Sequence, residues 1–318
     1  MKTFRLMFAV SVLFCFHQTV HAASETASTD ASSSIDRDSV TNVDRAFSAY
    51  QRGSYLTAFE LALPEAQNGN SSAQTLIAEL YERGLGVRQN TKEAAVWYEI
   101  AAKSGNREAQ FAYALKLLEG VDIPKDTEVG ARMMKAASDA GHPNAMFNYA
   151  THRISQRPTS ATYREMLPLL EKAAEYRVVD AYYSLAKIYE EGLATRINDP
   201  ERGSYWMEKA ADAGNDAAQV ELAVTLLKNQ NEKANVDRAF DLLNLAANSG
   251  NVVAQNRLAY MLIEGNGIER SDLQGATWHI LASRAGRKDF DLDRYVNSLP
   301  TDVREQAIDR ADRWSPSK

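Results

Sequence analysis

A short phrase recurs along this chain at a nearly constant interval. The sequence "WYEIAAKSGN" at residues 97–106 returns as "WMEKAADAGN" at residues 206–215, and related versions follow it. Alignment on the glycine of this phrase gives a period of 36 residues, with a single step of 37. The glycines are Gly69, Gly105, Gly141, Gly214, Gly250 and Gly286, and Arg177 stands where the remaining one is expected. A fixed period of this length indicates a repeat array in place of one globular core.

Each repeat has the pattern of two helices joined by a turn. In the first repeat, apolar residues follow helical spacing on both sides of Gly84 and Gly86, which interrupt the helices. Asn90 or Thr91 is suited to start the second helix, and Gly105 can end it in the left-handed conformation. Alanines four residues before and after the repeated glycine allow close helix packing. We therefore predict an all-α fold without strands, a right-handed superhelical solenoid of antiparallel helix pairs.

The repeat pattern divides the chain into segments. Six repeats cover residues 70–286. Residues 43–69 are predicted to form a shorter N-terminal capping pair, and residues 287–318 the C-terminal capping helices. Residues 23–42 contain nine Ser or Thr among twenty residues, so we predict a disordered tether there.

The first 22 residues have the parts of a secretory signal peptide. Lys2 and Arg5 precede a short apolar run, and small residues lead to a predicted cleavage site after Ala22. The run is too short to span a membrane, so we expect no membrane-spanning segment after processing. The predicted location is the bacterial periplasm, with secretion as the alternative. Cleavage would remove Cys15, the only cysteine, which excludes disulfides, thiol catalysis and cysteine metal sites.

The charge of the chain argues against nucleic acid as a partner. The formal net charge is −6, and loss of Lys2 and Arg5 with the signal peptide would make it −8, because no acidic residue is lost. A mildly acidic chain lacks the basic surface that binding to phosphates requires.

The repeated pattern resembles Sel1-like repeats, which are relatives of tetratricopeptide repeats. It runs A-x-x-x-L-A-x-x-Y-x-x-G-x-G, then a polar loop, then A-x-x-W-Y-x-x-A-A-x-x-G-N. The third repeat departs from it, since it lacks the loop glycines, ends at Arg177 and places Pro168 within its second helix. We predict that this repeat is the weak joint of the array. The alternative is that its second helix starts near Leu167 and holds the proline in its first turn.

No sequence motif predicts catalysis, a metal or a cofactor. His142, His152 and His279 lie in different repeats without metal-ligand spacing, and the two-glycine turns are too short to indicate a phosphate loop. Ser184 and Lys187 match the Ser-x-x-Lys motif of serine acyl-transferring enzymes, but the accompanying motifs are missing. We therefore predict that the protein is not an enzyme and needs no cofactor.

The first helices supply candidate residues for binding a partner. If the repeats stack as in tetratricopeptide arrays, two positions of each first helix point into a groove. We call these positions the two ladders. One contains Thr75, Phe111, Phe147, Tyr183, Val220 and Asn256, and the other contains Glu79, Leu115, Thr151, Lys187, Val224 and Tyr260. The predicted site is the central group Phe111, Leu115, Phe147, Tyr183 and Lys187, because an aromatic stripe can anchor a peptide or helix of another protein. The alternative is that these aromatics pack between neighbouring helices.

The resemblance also implies a range of functions. Exported bacterial Sel1-like proteins include periplasmic regulators of membrane sensor kinases and scaffolds for exopolysaccharide export or envelope assembly. One cysteine-rich group is linked to penicillin binding, but its disulfides cannot form here. We expect a non-catalytic scaffold or regulator whose partner is another protein, such as a membrane sensor or an envelope-assembly component. The alternative is a cell-envelope enzyme or a glycan- or peptidoglycan-binding module related to β-lactams or the cell wall.

Overall fold

A computed structural model describes residues 41–229 and 232–317, and all regular secondary structure in these ranges is helical. The first pair is α1 (Asn42–Gln51) and α2 (Tyr55–Gln67). Six pairs follow it: α3 (Ser71–Arg83) and α4 (Thr91–Lys103), α5 (Arg107–Glu119) and α6 (Thr127–Asp139), α7 (Pro143–Gln156) and α8 (Ser160–Glu175), α9 (Val179–Glu190) and α10 (Pro200–Asp212), α11 (Asp216–Leu226) and α12 (Lys233–Asn248), α13 (Val252–Glu264) and α14 (Asp272–Arg284). The last pair is α15 (Phe290–Ser298) and α16 (Thr301–Arg313). We call the six central pairs units one to six.

The helices confirm the prediction of an all-α solenoid of helix pairs. Consecutive helices pack against each other from α1 to α15, and α16 packs against α14, so each unit is covered by its neighbours. The predicted signal peptide and all but the end of the predicted tether lie outside the described residues. Thr41 and Asn42, which we assigned to the tether, instead cap and begin α1. Among the described helices, none is both long enough and apolar enough to cross a bilayer.

A recurring cap starts the first helix of most units. The residue after the repeated glycine accepts a hydrogen bond from the backbone N–H three residues later, which satisfies a group that the helix leaves unpaired. The residues with this role are Asn70, Asn106, Asn215 and Asn251. In unit three, His142 replaces the asparagine, and its Nδ1 accepts from the N–H of Ala145 at 3.1 Å. In unit four, Val178 occupies this place and offers no side-chain cap.

Glutamine side chains join adjacent units, a feature that our sequence analysis missed. Each is on a first helix and donates from Nε2 to a carbonyl near the end of the preceding second helix. The pairs are Gln74 with Ala66, Gln110 with Ala102, Gln219 with Ala211 and Gln255 with Ala247. Met146 and Tyr182 stand at the same position in units three and four. Methionine has no donor, and the Tyr182 ring stacks on Trp206.

The boundary between units three and four departs from the others in several ways. Pro168 lies inside α8, which begins at Ser160, so the alternative in which the helix starts near Leu167 is wrong. Arg177 keeps the left-handed conformation of the glycine that it replaces, with a φ of 61°. Because Val178 and Tyr182 are also changed, this boundary lacks the glycine, the side-chain cap and the glutamine together. The weak joint therefore stays a prediction that has gained structural support.

A tyrosine joins the last unit to the C-terminal pair. The Tyr260 hydroxyl donates to Oδ1 of Asp289 at 2.9 Å, and Nδ2 of Asn256 donates to Oδ2 of the same carboxylate at 3.0 Å. Burial and the hydrogen bond to Asp289 raise the pKa of Tyr260 to about 12. The proton is therefore held more tightly in the folded chain than in the unfolded chain.

We expect the array to lose the stability that Tyr260 contributes when the pH is raised into strong alkali. Between pH 10 and about 12 the unfolded chain loses this proton before the folded chain does, so the free energy of unfolding falls as pH rises. In Tyr260→Phe the fall should be shallower, although stability at neutral pH drops by one hydrogen bond. Urea unfolding at a series of pH values measures this slope. Tyr176→Phe, at an exposed tyrosine, is the control, and an equally shallow slope there would contradict the assignment.

Candidate protein-binding surface

The structure places the predicted site residues at different depths. Phe111 is only 8 % exposed, and its ring stacks on His142 with 4.3 Å between ring centroids. Leu115 is partly buried against the same apolar cluster. For Phe111 the alternative in our sequence analysis is correct, because the residue packs between units and offers little surface to a partner. Phe147 is half-buried and packs against the core of units three and four.

Tyr183 and Lys187 are brought together by a residue that the sequence analysis did not name. The Tyr183 hydroxyl donates to Oε1 of Glu221 at 2.6 Å, and Nζ of Lys187 donates to Oε2 of Glu221 at 3.0 Å. Glu221 is on α11, so the contact crosses from unit four to unit five. Burial and the hydrogen bond to Glu221 raise the pKa of Tyr183. Glu221 directly follows the ladder residue Val220. The sequence signal that could have identified Glu221 is an acidic residue next to a ladder position of one unit, with the ladder residue Lys187 in the preceding unit.

Lys187 lies within a group of acidic residues. Its Nζ is 3.2 Å from Oε2 of Glu190 and 3.7 Å from Oε1 of Glu191, besides the contact with Glu221. Burial acts to lower the pKa of Lys187, but its hydrogen bonds and attraction to Glu221 and Glu190 outweigh burial, and the pKa is raised. The hydrogen bonds of Lys187 thus go to the carboxylates of Glu190 and Glu221.

A depression of about 450 Å³ lies beside this group, on the first helices of units four to six. Its floor contains Met207 and Val220, which are buried, together with Val224. At both ladder positions of unit five the residue is a valine, where units two to four have mostly larger side chains. The smaller side chains account for the open space.

Two exposed cations line the same depression. Lys228 follows α11, and Arg257 lies on α13. Among the described residues, no carboxylate lies within ion-pair distance of either side chain. An apolar floor with cations at its edge suits a ligand that combines an apolar group with a negative charge.

The buried histidines have structural partners. Besides capping α7, His142 lies 2.9 Å through Nε2 from Oε2 of Glu108, and this hydrogen bond lowers the pKa of Glu108. His279 lies 2.8 Å through Nε2 from Oδ1 of Asp293, joining α14 to α15. In residues 41–229 and 232–317, no group of three or more His, Cys, Asp or Glu side chains is placed to hold a metal ion.

Comparison with known proteins gives the family. The Sel1 repeat matches residues 71–106, 107–142, 179–215, 216–251 and 252–286, which is more than half of the chain. The chain belongs to the Sel1 repeat family. Between residues 71 and 286 the stretch without a match is 143–178, which is unit three and ends at Arg177 and Val178 in place of the glycine–asparagine pair.

Solved structures share the fold, and one curated relative is similar over part of the chain. The crystal structure of a Sel1 repeat protein from Oxalobacter formigenes is 27 % identical with a TM-score of 0.67, covering 78 % of this chain and 99 % of that one. That of c5321, a protective antigen of uropathogenic Escherichia coli strains with an SLR fold, is 23 % identical with a TM-score of 0.57, covering 86 % and 67 %, and shows the fold alone. Chitin synthase regulatory factor 3 of Schizosaccharomyces pombe is 26 % identical over 129 residues, or 40 % of this chain, which spans only 14 % of that protein.

Membership in this family bears on function at a general level. Sel1 repeats bind other proteins, and the repeat is generally a non-catalytic scaffold. The curated relative is named as a regulatory factor. The surface formed by Tyr183, Lys187, Glu221 and the adjoining depression is thus a candidate for protein binding.

Proposed function

We propose that this protein is an exported, non-catalytic scaffold or regulator that holds another protein on the first helices of units four to six. The observation that carries the proposal is the depression over Val220 and Val224, which is lined by Glu221 and by exposed cations. The half-buried Tyr183 donates a hydrogen bond to Glu221 and so lies next to this depression. A depression with both apolar and polar walls can accept an anchor side chain of a partner protein. This moves the expected site from units two to four toward the C-terminal half, because Phe111 is buried.

The proposed location is the periplasm, with a membrane sensor or envelope-assembly component as the expected partner. The support is the signal-peptide pattern of residues 1–22, which lies outside the described residues. Fractionation of an expressing bacterium, with mass spectrometry of the N-terminus, tests it. We expect the chain in the periplasmic fraction, beginning at Ala23. A chain retained in the cytoplasm with Met1 intact would contradict the location without affecting the binding surface.

Tyr183→Ala is expected to weaken partner capture at least tenfold, about 1.4 kcal/mol, because an aromatic beside an interface pocket is often a major contributor to affinity. Cross-linking capture from the bacterial envelope, with the processed chain as bait, identifies the partner and then measures its affinity. Circular dichroism melting is measured in parallel, since Tyr183 also bonds to Glu221.

The matched control is Tyr205→Ala. Tyr205 belongs to the same unit but lies on the second helix, and it is 52 % exposed. We expect this variant to capture the partner as the wild type does. If Tyr205→Ala abolishes capture and Tyr183→Ala does not, the partner binds the second helices. If Tyr183→Ala unfolds the array, Tyr183 is a core residue and the surface must be defined by other side chains.

A further inference from the structure

Some charged side chains around the depression form ion pairs and others do not. Lys187 lies 3.2 Å from Glu190 and 3.0 Å from Glu221, so one positive charge is shared between two carboxylates. Lys228 and Arg257 face the same space with no carboxylate of the described residues in ion-pair reach. The lining thus has three positive side chains, Lys187, Lys228 and Arg257, against the two negative ones of Glu190 and Glu221, in a chain whose formal net charge is −6.

Val224 is the half-buried apolar side chain of the depression. Val220 is 8 % exposed and Met207 is 4 % exposed, so both belong to the core of units four to six behind it. Val224 lines the depression together with these two core side chains, so a ligand side chain placed on it would meet a surface that needs little ordering. A depression of about 450 Å³ has room for a few side chains of an extended or helical segment.

We infer that this depression binds an acidic segment of the partner protein, with an apolar side chain on Val224 and carboxylates beside Lys228 and Arg257. The inference rests on the proposed function and names the chemistry of the partner. Its basis is charge complementarity: the carboxylates of such a segment would pair with the cations, and the adjacent apolar side chain would contact the apolar part of the lining. A basic segment would meet Lys228 and Arg257 with like charge.

Labelled peptides test this chemistry directly with the purified chain. The probe has Asp and Glu residues on both sides of one Leu, a second peptide has Lys in place of each acid, and a third has Ser in place of the Leu. Fluorescence anisotropy should show binding of the acidic probe, weaker binding of the Ser peptide and none of the Lys peptide. Affinity for the acidic probe should fall as salt is raised from 0.05 to 0.3 M, because the contacts are exposed.

The decisive variant reverses both cations, Lys228→Glu with Arg257→Glu. We expect this double variant to bind the acidic probe at least tenfold more weakly than the wild type does. Its control is Lys125→Glu with Lys172→Glu, which makes the same change in net charge at exposed lysines elsewhere, Lys125 preceding α6 and Lys172 on α8. An equal loss in the control shows that net charge alone attracts the probe, and overturns the inference. Failure of the acidic probe to bind the wild type, or equal binding of the Lys peptide, also overturns it.

Two further outcomes separate this inference from the proposed function. If the double reversal captures the partner normally while Tyr183→Ala does not, the protein-binding surface stands and its acidic ligand is wrong. If neither variant affects capture, both fail. The remaining possible occupant is a second copy of this chain, which light scattering of the wild type and of the double variant tests. A wild-type dimer that becomes a monomer in the double variant would show that a second copy fills the depression.

Discussion

Gly86→Ala is expected to lower the free energy of unfolding by about 3 kcal/mol, the largest effect that we predict for one methyl group. Gly86 lies in the loop between α3 and α4 with a φ of 70°, and a Cβ there would lie 2.4 Å from the backbone nitrogen of Leu56 on α2. The left-handed conformation costs an alanine about 1 kcal/mol. The clash adds roughly 2 kcal/mol, because backbone cannot move aside as a flexible side chain does.

Gly105→Ala is the matched control for this prediction. Its φ is 85°, but a Cβ at that position would meet no atom within 4 Å. This variant should therefore lose only about 1 kcal/mol, the cost of the conformation alone. Urea unfolding of both variants gives the difference. Equal losses would mean that the turn shifts away from α2 without cost, so that the contact with Leu56 contributes nothing to stability.

The helix pairs were predictable because the repeat presents each structural device several times. One glycine–asparagine pair is a weak signal, but its return after 36 residues places the helix ends along most of the chain. The contact between Gly86 and Leu56 was not predictable, since it depends on how closely one unit sits on the preceding one. The sequence explained the glycine as a turn, and the structure adds that the turn packs against another backbone.

The burial of Phe111 shows that a ladder position alone does not predict whether a side chain is exposed. A ladder position gives the direction of a side chain from its own helix, but not the distance to the next helix. His142 fills the space over the Phe111 ring, and its role as a helix cap follows from occupying the place of an asparagine. The depression could have been predicted from the sequence, because Val220 and Val224 are small residues at both ladder positions of one unit. The pairing of Lys187 with Glu221 required the structure, since it joins helices of different units.

The boundary between units three and four should open more readily than its neighbours. The hydrogen-bond donor missing at Pro168 and the left-handed Arg177 each weaken it. Because each unit contacts only adjacent ones, the loss stays local and appears as faster hydrogen exchange. We expect residues 160–178 to be less protected than the equivalent residues 88–106 of unit one. Equal protection of the two stretches would show that neighbouring contacts compensate fully.

Arg177→Gly with Val178→Asn should repair this boundary and raise the local free energy of opening by about 2 kcal/mol. Val178 has φ −70° and ψ 104°, close to the −68° and 116° of Asn106, so an asparagine can cap α9 without a change of backbone. Relief of the left-handed arginine and the gain of the cap contribute about 1 kcal/mol each. Hydrogen exchange of the α9 amides measures the gain.

The reverse exchange, Gly105→Arg with Asn106→Val, places the same defect between units one and two and should cost about 2 kcal/mol there. Opposite and equal changes at the two boundaries would show that the glycine–asparagine pair sets local stability wherever it occurs in the array. A repair that leaves α9 unchanged, with a loss at the first boundary, would place the weakness of unit three in Pro168 and in the missing glutamine bond at Tyr182. Tyr182 stacks on Trp206 with 5.7 Å between ring centroids, so that position could not be restored to glutamine without losing an aromatic contact. The weak boundary would then be the consequence of packing that unit four needs for its own core.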